Sequence, residues 1–243
     1  MSRMTFAEGL RALQSAQKPN RGTAAYSRRI NRPAGRIVSA AVNTFSMTPN
    51  QATAISATMS ATAIALIALV EPTIISGIAI AALLAGGYVM DSVDGQLARL
   101  RGQGAKAGEW LDHTVDSFKT ASLHLAVLIS WFRWPAHDDD RWLLVPLGFT
   151  IVAVVTFFGL MLMPTLRPKS AAAPTPESPE NPLRQFALLP TDYGFQCWLF
   201  VLLGWPLVFS WVYTAVFACC VLALAAAMRK WWRELRALDA QAH

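Results

Sequence analysis

The chain has 243 residues, 54% of them hydrophobic and only 15% charged, with a net charge of +6. So apolar a composition excludes an ordinary soluble domain of this size. The basic excess lies along the flanks of apolar stretches, which points to anionic lipid head groups and away from nucleic acid.

Residues 1–25 are polar and mixed, with one weakly amphipathic stretch from Phe6 to Leu13, and read as a flexible N-terminal tail. They lack the continuous apolar core and small-residue cleavage pattern of a secretory signal, so the N-terminus is expected to be retained. From 26 to 46 the sequence predicts an amphipathic helix lying in a membrane interface. Ile30, Ile37, Val38, Ala41 and Phe45 recur there at helical spacing, while Arg28, Arg29, Arg32 and Arg36 take much of the remaining surface. Pro33, near the start, is tolerated at that position or bends the helix. Thr48-Pro49-Asn50-Gln51 reads as the beginning of the next helix, with Thr48 as cap and Pro49 in the first helical position.

Six apolar stretches follow, near 50–70, 73–97, 109–132, 142–165, 192–206 and 207–228, on the scale of roughly 20 residues that a bilayer crossing needs. The first is rich in Ala, Thr and Ser, which suits close helix packing. Together they predict a six-span domain over 47–230, interrupted at 166–190 by a cytoplasmic linker with Pro168, Pro174, Pro176, Pro179, Pro182 and Pro190. Residues 231–243 read as a C-terminal tail that follows an interfacial anchor of tryptophan and basic residues. The expected fold class is therefore all-α integral membrane, with six transmembrane helices preceded by an amphipathic interfacial helix. Cys197, Cys219 and Cys220 lie in predicted spans without ligand spacing and read as packing residues.

Orientation follows from the 21 Lys and Arg residues. Eight precede the first span, three lie between Arg99 and Lys106, three in 166–190 and four after Met228, all on one side. The other side receives Arg133 and Arg141, and Lys119 sits inside a span. Positive loops stay cytoplasmic, so the ends of the second and third spans that meet at Arg99 to Lys106 face the cytoplasm.

Those same ends carry the most informative feature of the chain. Asp91-Ser-Val-Asp94-Gly95-Gln-Leu-Ala98-Arg99 is followed by eight residues and then Gly108-Glu-Trp-Leu-Asp112-His-Thr-Val-Asp116. Ionised carboxylates beside a bilayer core each cost about 2.5–3.5 kcal/mol, so four of them need a counter-charge, a water-filled cavity or bound metal. Asp91 and Asp94 share one helix face, as do Asp112 and Asp116, and a short hairpin brings the pairs together. Oxygen-rich sites of this charge suit hard divalent ions such as Mg²⁺ or Mn²⁺, and two such ions about 3.5–4 Å apart can clamp a phosphate. Gly95 and Gly108 leave room for a bulky ligand at the backbone, and Arg99 can balance a phosphate charge.

The order D-x-x-D-G-x-x-A-R, eight residues, G-x-x-x-D-x-x-x-D resembles the signature of the CDP-alcohol phosphotransferases, and Asp91, Asp94, Gly95, Ala98, Arg99, Gly108, Asp112 and Asp116 match every fixed position. The resemblance extends to the basic interfacial helix, the Thr48-Pro49-Asn50 helix start and the six-span plan. It implies a membrane enzyme, usually a homodimer, in the plasma membrane of a prokaryote with its cavity open to the cytoplasm. An acceptor hydroxyl would attack the alcohol-linked phosphate of a CDP-alcohol, CDP-diacylglycerol in the favoured reading, and CMP would leave. Asp91, Asp94, Asp112 and Asp116 would hold two Mg²⁺ or Mn²⁺ ions, and Asp116 would also serve as general base. Asn50, Thr53, Gly95, Ala98, Arg99 and Gly108 would form the CDP site. Many members carry a hydroxyl residue three places before the second glycine, where this chain has Ala105.

The acceptor side is less marked. Lys119 either binds a phosphate on the acceptor or neutralises Asp116, and Arg184 and Asp192 are candidates for the pocket rim. Lys119 and the arginine-rich helix lean toward glycerol phosphate or inositol phosphate as the acceptor. His113 and His124 share a face but lack the adjacent-turn spacing of a zinc helix, so no metal role is expected of them. Two alternatives stand beside this reading: synthesis of a soluble phosphodiester from a CDP-linked polyol, and a non-enzymatic carrier of divalent cations.

Overall fold

The computed structural model describes residues 5–15, 25–102, 105–167, 186 and 188–242, and every regular element among them is helical. The chain order is α1 (Phe6–Ser15), α2 (Arg32–Thr44), α3 (Pro49–Leu69), α4 (Ile74–Leu100), α5 (Lys106–Arg133), α6 (Leu144–Leu166), α7 (Tyr193–Leu199) and α8 (Pro206–Ala242). Four of the helical stretches are long and apolar enough to cross a membrane: Pro49–Leu69, Ile74–Leu100, Asp140–Leu166 and Pro206–Ala240. The stretch Tyr193–Gly204 is apolar but shorter, because α7 gives way to a 3₁₀ turn over Phe200–Gly204. Helix α5 is long, at 28 residues, and its N-terminal half carries the predicted acidic face.

Local chemistry sets the helix starts. Thr48 accepts a hydrogen bond from the Gln51 amide at 3.3 Å while the Gln51 side chain accepts from the Thr48 amide at 2.9 Å, so a reciprocal cap fixes the beginning of α3 at Pro49. Thr73 and Ser76 open α4 in the same way. Helix α4 ends at Leu100 and the chain turns at Gly102, whose φ of +62° lies in the left-handed region that glycine adopts without a Cβ penalty. Helix α5 starts after Ala105 with no side-chain cap, so the departure from the usual hydroxyl residue leaves this helix end without a donor–acceptor lock.

Helices α3 and α4 lie against one another through small residues. The Ser56 hydroxyl donates to the Gly87 carbonyl at 2.9 Å, and a Cβ on Gly87 would fall 2.8 Å from Ser60 Oγ. The alanine, serine and threonine content of α3 is thus what lets its backbone approach α4. The half of the bundle away from the aspartates is filled by larger side chains, including Ile67, Leu84, Val127, Trp131, Phe149, Phe209 and Tyr213.

Two terminal expectations are corrected. Residues 6–15 lie within the predicted flexible tail, yet they form α1, because Leu13 is fully buried and α2 supplies the surface that covers it. Residues beyond 230 were expected as a tail, yet α8 continues to Ala242, and Arg167 grips Glu234 through two hydrogen bonds of 2.7 and 3.0 Å. Most of the proline-rich stretch 166–190 lies outside the described residues.

The segment before α2 is a π-helical turn over Ser27–Asn31, in which the Arg32 amide reaches back to the Ser27 carbonyl. Pro33 has no amide to donate and its ring crowds the preceding turn, which accounts for the widening. Helix α2 turns Asn31, Gly35 and Ser39 inward, while Ile30, Ile37 and Phe45 face outward. Asp192 ties this segment to α7: its carboxylate caps the Gly194 amide at 2.9 Å and also accepts from the Ser27 amide at 2.9 Å. Trp198 donates to the Tyr26 hydroxyl at 2.9 Å beside it.

Candidate active site

The last three turns of α4 and the first three turns of α5 carry the four aspartates, and the beginning of α3 packs along both helices. Thr53 on α3 donates to Asp94 Oδ2 at 2.7 Å, and the Gly95 amide donates to the other oxygen of the same carboxylate. Asp94 is therefore oriented from two directions. Lys119 is 6% exposed, and its ammonium lies 2.6 Å from Asp91 Oδ1 and 2.7 Å from Asp116 Oδ1, which links α5 to α4 directly. Of the two roles open to Lys119 in the sequence, the structure displays carboxylate neutralisation. Long, flexible lysine stems extend in this way from a buried Cα toward charge.

Asp112, His113 and Asp116 offer ligand atoms that lie within 4.8 Å of one another. His113 was set aside on its spacing from His124, but a histidine needs only one carboxylate neighbour on the same turn to enter such a group. The carboxylates of the two helices also sense one another: Asp94 feels the charges of Asp112 and Asp116, and Asp91 those of Asp94 and Asp116. A Cβ on Gly95 would meet Arg99 Nη1 at 3.3 Å, and one on Gly108 would meet Asn50 Oδ1 at 3.3 Å. Both neighbours are tips of side chains rather than backbone, so the glycines border open space between the helices, unlike the closely packed Gly87. Ala98 is half-buried one turn beyond Asp94. Arg184 lies outside the described residues.

One turn deeper than the aspartates, a cavity of about 510 Å³ runs between α5, α6, α7 and α8. Thr120 and His124, which follow Asp116 along the same face of α5, line it together with Ala153, Thr156, Gln196 and Ala223, and Asp192 and Ser27 border it as well. His124 marks its floor: the ring stacks on Phe149 at 3.8 Å and its Nδ1 is 2.7 Å from the Tyr213 hydroxyl. The lining holds no lysine or arginine among the described residues. This groove has no sequence signature, since its lining comes from four helices and is mostly Ala, Thr, Leu and Phe; only the i, i+4, i+8 series Asp116, Thr120, His124 hinted at a shared direction.

A family model described as CDP-alcohol phosphatidyltransferase matches residues 46–227. The chain belongs to this family. The stretch matched contains the cap of α3, all four aspartates and most of the groove lining. The fold is also that of a solved member: the crystal structure of Mycobacterium tuberculosis phosphatidylinositol phosphate synthase with CDP-DAG bound aligns with a TM-score of 0.53 at 21% identity, covering 84% of this chain and 94% of that one. Comparison with curated proteins returns no match. Membership of this family of membrane enzymes and the four bilayer-length apolar helices identify an integral membrane protein.

Proposed function

We propose that this protein transfers a substituted phosphate from a CDP-alcohol to a small hydroxylated acceptor, with release of CMP, in phospholipid biosynthesis. The observation that carries the proposal is the facing of Asp91 and Asp94 on α4 toward Asp112 and Asp116 on α5, with Gly95 and Gly108 opening the space beside them. All oxygen ligands of this set are hard donors, and the set fits Mg²⁺ or Mn²⁺. Asp91, Asp94, Asp112 and Asp116 would hold the metal, with His113 within reach of the same group. When bound, such a cation offsets the negative charge of the diphosphate and stabilises the departing oxygen.

In this reading Asn50, Thr53, Gly95, Ala98, Arg99 and Gly108 surround the cytidine diphosphate. The acceptor oxygen attacks the alcohol-linked phosphorus, the bond between the two phosphates breaks, and CMP departs with the electron pair. Lys119 holds Oδ1 of Asp116, so Oδ2 is the oxygen that takes the acceptor proton. The lipid donor CDP-diacylglycerol is supported by the apolar groove one turn below. With Lys119 committed to two carboxylates, a phosphate on the acceptor, as in glycerol phosphate or inositol phosphate, would draw on Arg28, Arg29 and Arg32 before α2 or on Arg184. We further infer six spans, formed by α3, α4, α5, α6, α7 with its 3₁₀ continuation, and α8. Helix α2 rests in the interface on Ile30 and Ile37, the aspartates face the cytoplasm of a prokaryote, and the protein pairs as a homodimer.

The test is CMP release by purified protein in liposomes with CDP-diacylglycerol and Mn²⁺, against glycerol 3-phosphate, inositol 1-phosphate, inositol and serine. Release with one acceptor that stops on adding a chelator is the expected outcome; absence of release with every acceptor, from protein that takes up neither CDP nor Mn²⁺, would refute the reading. A second expectation concerns Thr53. Thr53→Val removes the hydroxyl that orients Asp94, and loss of such a supporting hydrogen bond lowers metal affinity by about 10- to 100-fold. The Mn²⁺ concentration for half-maximal CMP release measures it.

A further inference from the structure

A buried ammonium group shared by two half-buried carboxylates occupies the position that a bridging cation would take. Nζ of Lys119 lies 2.6 Å from Asp91 Oδ1 and 2.7 Å from Asp116 Oδ1, and the side chain is 6% exposed. These two aspartates stand on different helices, so this is the junction across which a second divalent ion would have to bridge α4 and α5. A Mg²⁺ ion bound there would need both oxygens at about 2.0–2.1 Å, a place that Nζ fills, and its charge would oppose the ammonium at contact distance. The stem of the lysine rises from one turn below Asp116, and although the groove beneath is bordered by Thr120, His124, Gln196 and Asp192, the ammonium is directed to the two aspartates of the cluster. Asp94 is held by Thr53 and the Gly95 amide, and Asp112 lies with His113 and Asp116 in a group whose ligand atoms fall within 4.8 Å of one another.

We propose that Lys119 is a resident replacement for one of two metal ions, so that the four aspartates together hold a single divalent cation while the lysine takes Oδ1 of Asp91 and Oδ1 of Asp116. This rests on the metal-dependent reading above and fixes its stoichiometry. Lys119 is then a positioning residue: it acts on the acceptor through Asp116.

The experiment is electron paramagnetic resonance of the purified full-length protein in lipid nanodiscs, titrated with Mn²⁺ in the presence of CMP. The wild type is expected to take up one tightly bound Mn²⁺ per chain with the spectrum of an isolated ion. Lys119→Met should gain one further Mn²⁺ per chain and show a spin-coupled pair, and Lys119→Arg, which keeps the cation, should stay at one. Two coupled ions in the wild type overturn the proposal, as does a single ion in Lys119→Met. If Lys119→Met does not fold, the wild-type spectrum decides alone. A wild type that binds no Mn²⁺ overturns the metal reading itself, whereas chelator-sensitive CMP release with two coupled ions sinks this inference and leaves that reading standing.

Discussion

Replacing Asp116 by asparagine is expected to reduce CMP release by about 10²- to 10⁴-fold, the range over which a positioned general base contributes. Asparagine keeps the shape of the side chain and an oxygen that accepts from Lys119, so the contact that holds α5 to α4 through Asp91 persists. What it removes is the charge and the oxygen that receives the acceptor proton. Turnover and fold should therefore separate: thermal unfolding of the variant in the same detergent stays near that of the wild type while CMP release collapses. Release at the wild-type rate would exclude Asp116 as the base. Asp91→Ala should behave differently, since it strips one partner from a buried ammonium, and breaking a buried pair in that way costs about 3–5 kcal/mol of stability.

The second large effect is expected in the groove. Ala153 lines it together with Thr120 and His124, and Ala153→Trp would fill much of its width while leaving Asp91, Asp94, Asp112 and Asp116, which are not part of the lining, in place. If the groove takes a hydrocarbon chain of the donor, each methylene kept out forfeits about 0.8 kcal/mol, so excluding two or three of them lowers kcat/KM for long-chain CDP-diacylglycerol by about 15- to 60-fold. Turnover of a short-chain, water-soluble CDP-diacylglycerol should stay near that of the wild type. An equal loss with both donors would show that the substitution disturbs the aspartate cluster and that the groove does not select the chain.

Features that depend on neighbours a few residues apart were legible in the sequence. Thr48, Pro49 and Gln51 announce the start of α3 because a reciprocal cap is a local motif. The family was readable from spacing alone, since eight fixed positions from Asp91 to Asp116 define it and the family match spans them. What escaped the reading depends on partners far along the chain. Helix α1 was missed because Leu13 is worth burying only once α2 is beside it. Lys119 remained divided between two roles because spacing on α5 places it near Asp116 but says nothing of Asp91, which comes from α4. The groove was invisible for the same reason: Ala153, Gln196 and Ala223 carry no chemistry until four helices set them around one space.

The bidentate contact of Arg167 with Glu234 has a mechanical meaning. Arg167 follows α6 and Glu234 belongs to α8, and these helices form opposing walls of the groove. They form a pair of jaws with a clasp at one end and an aromatic hinge at the floor, where Phe149 of α6 meets Tyr213 of α8 with ring centroids 5.1 Å apart. The clasp is only about two-thirds covered, with side-chain exposures of 35% and 32%, so added salt loosens it, whereas the hinge carries no ion pair for salt to screen. The gape of the jaws should thus answer to ionic strength at the clasp and not at the floor, so that, if the groove takes a chain of the donor, the breadth it admits is set from the clasp end alone.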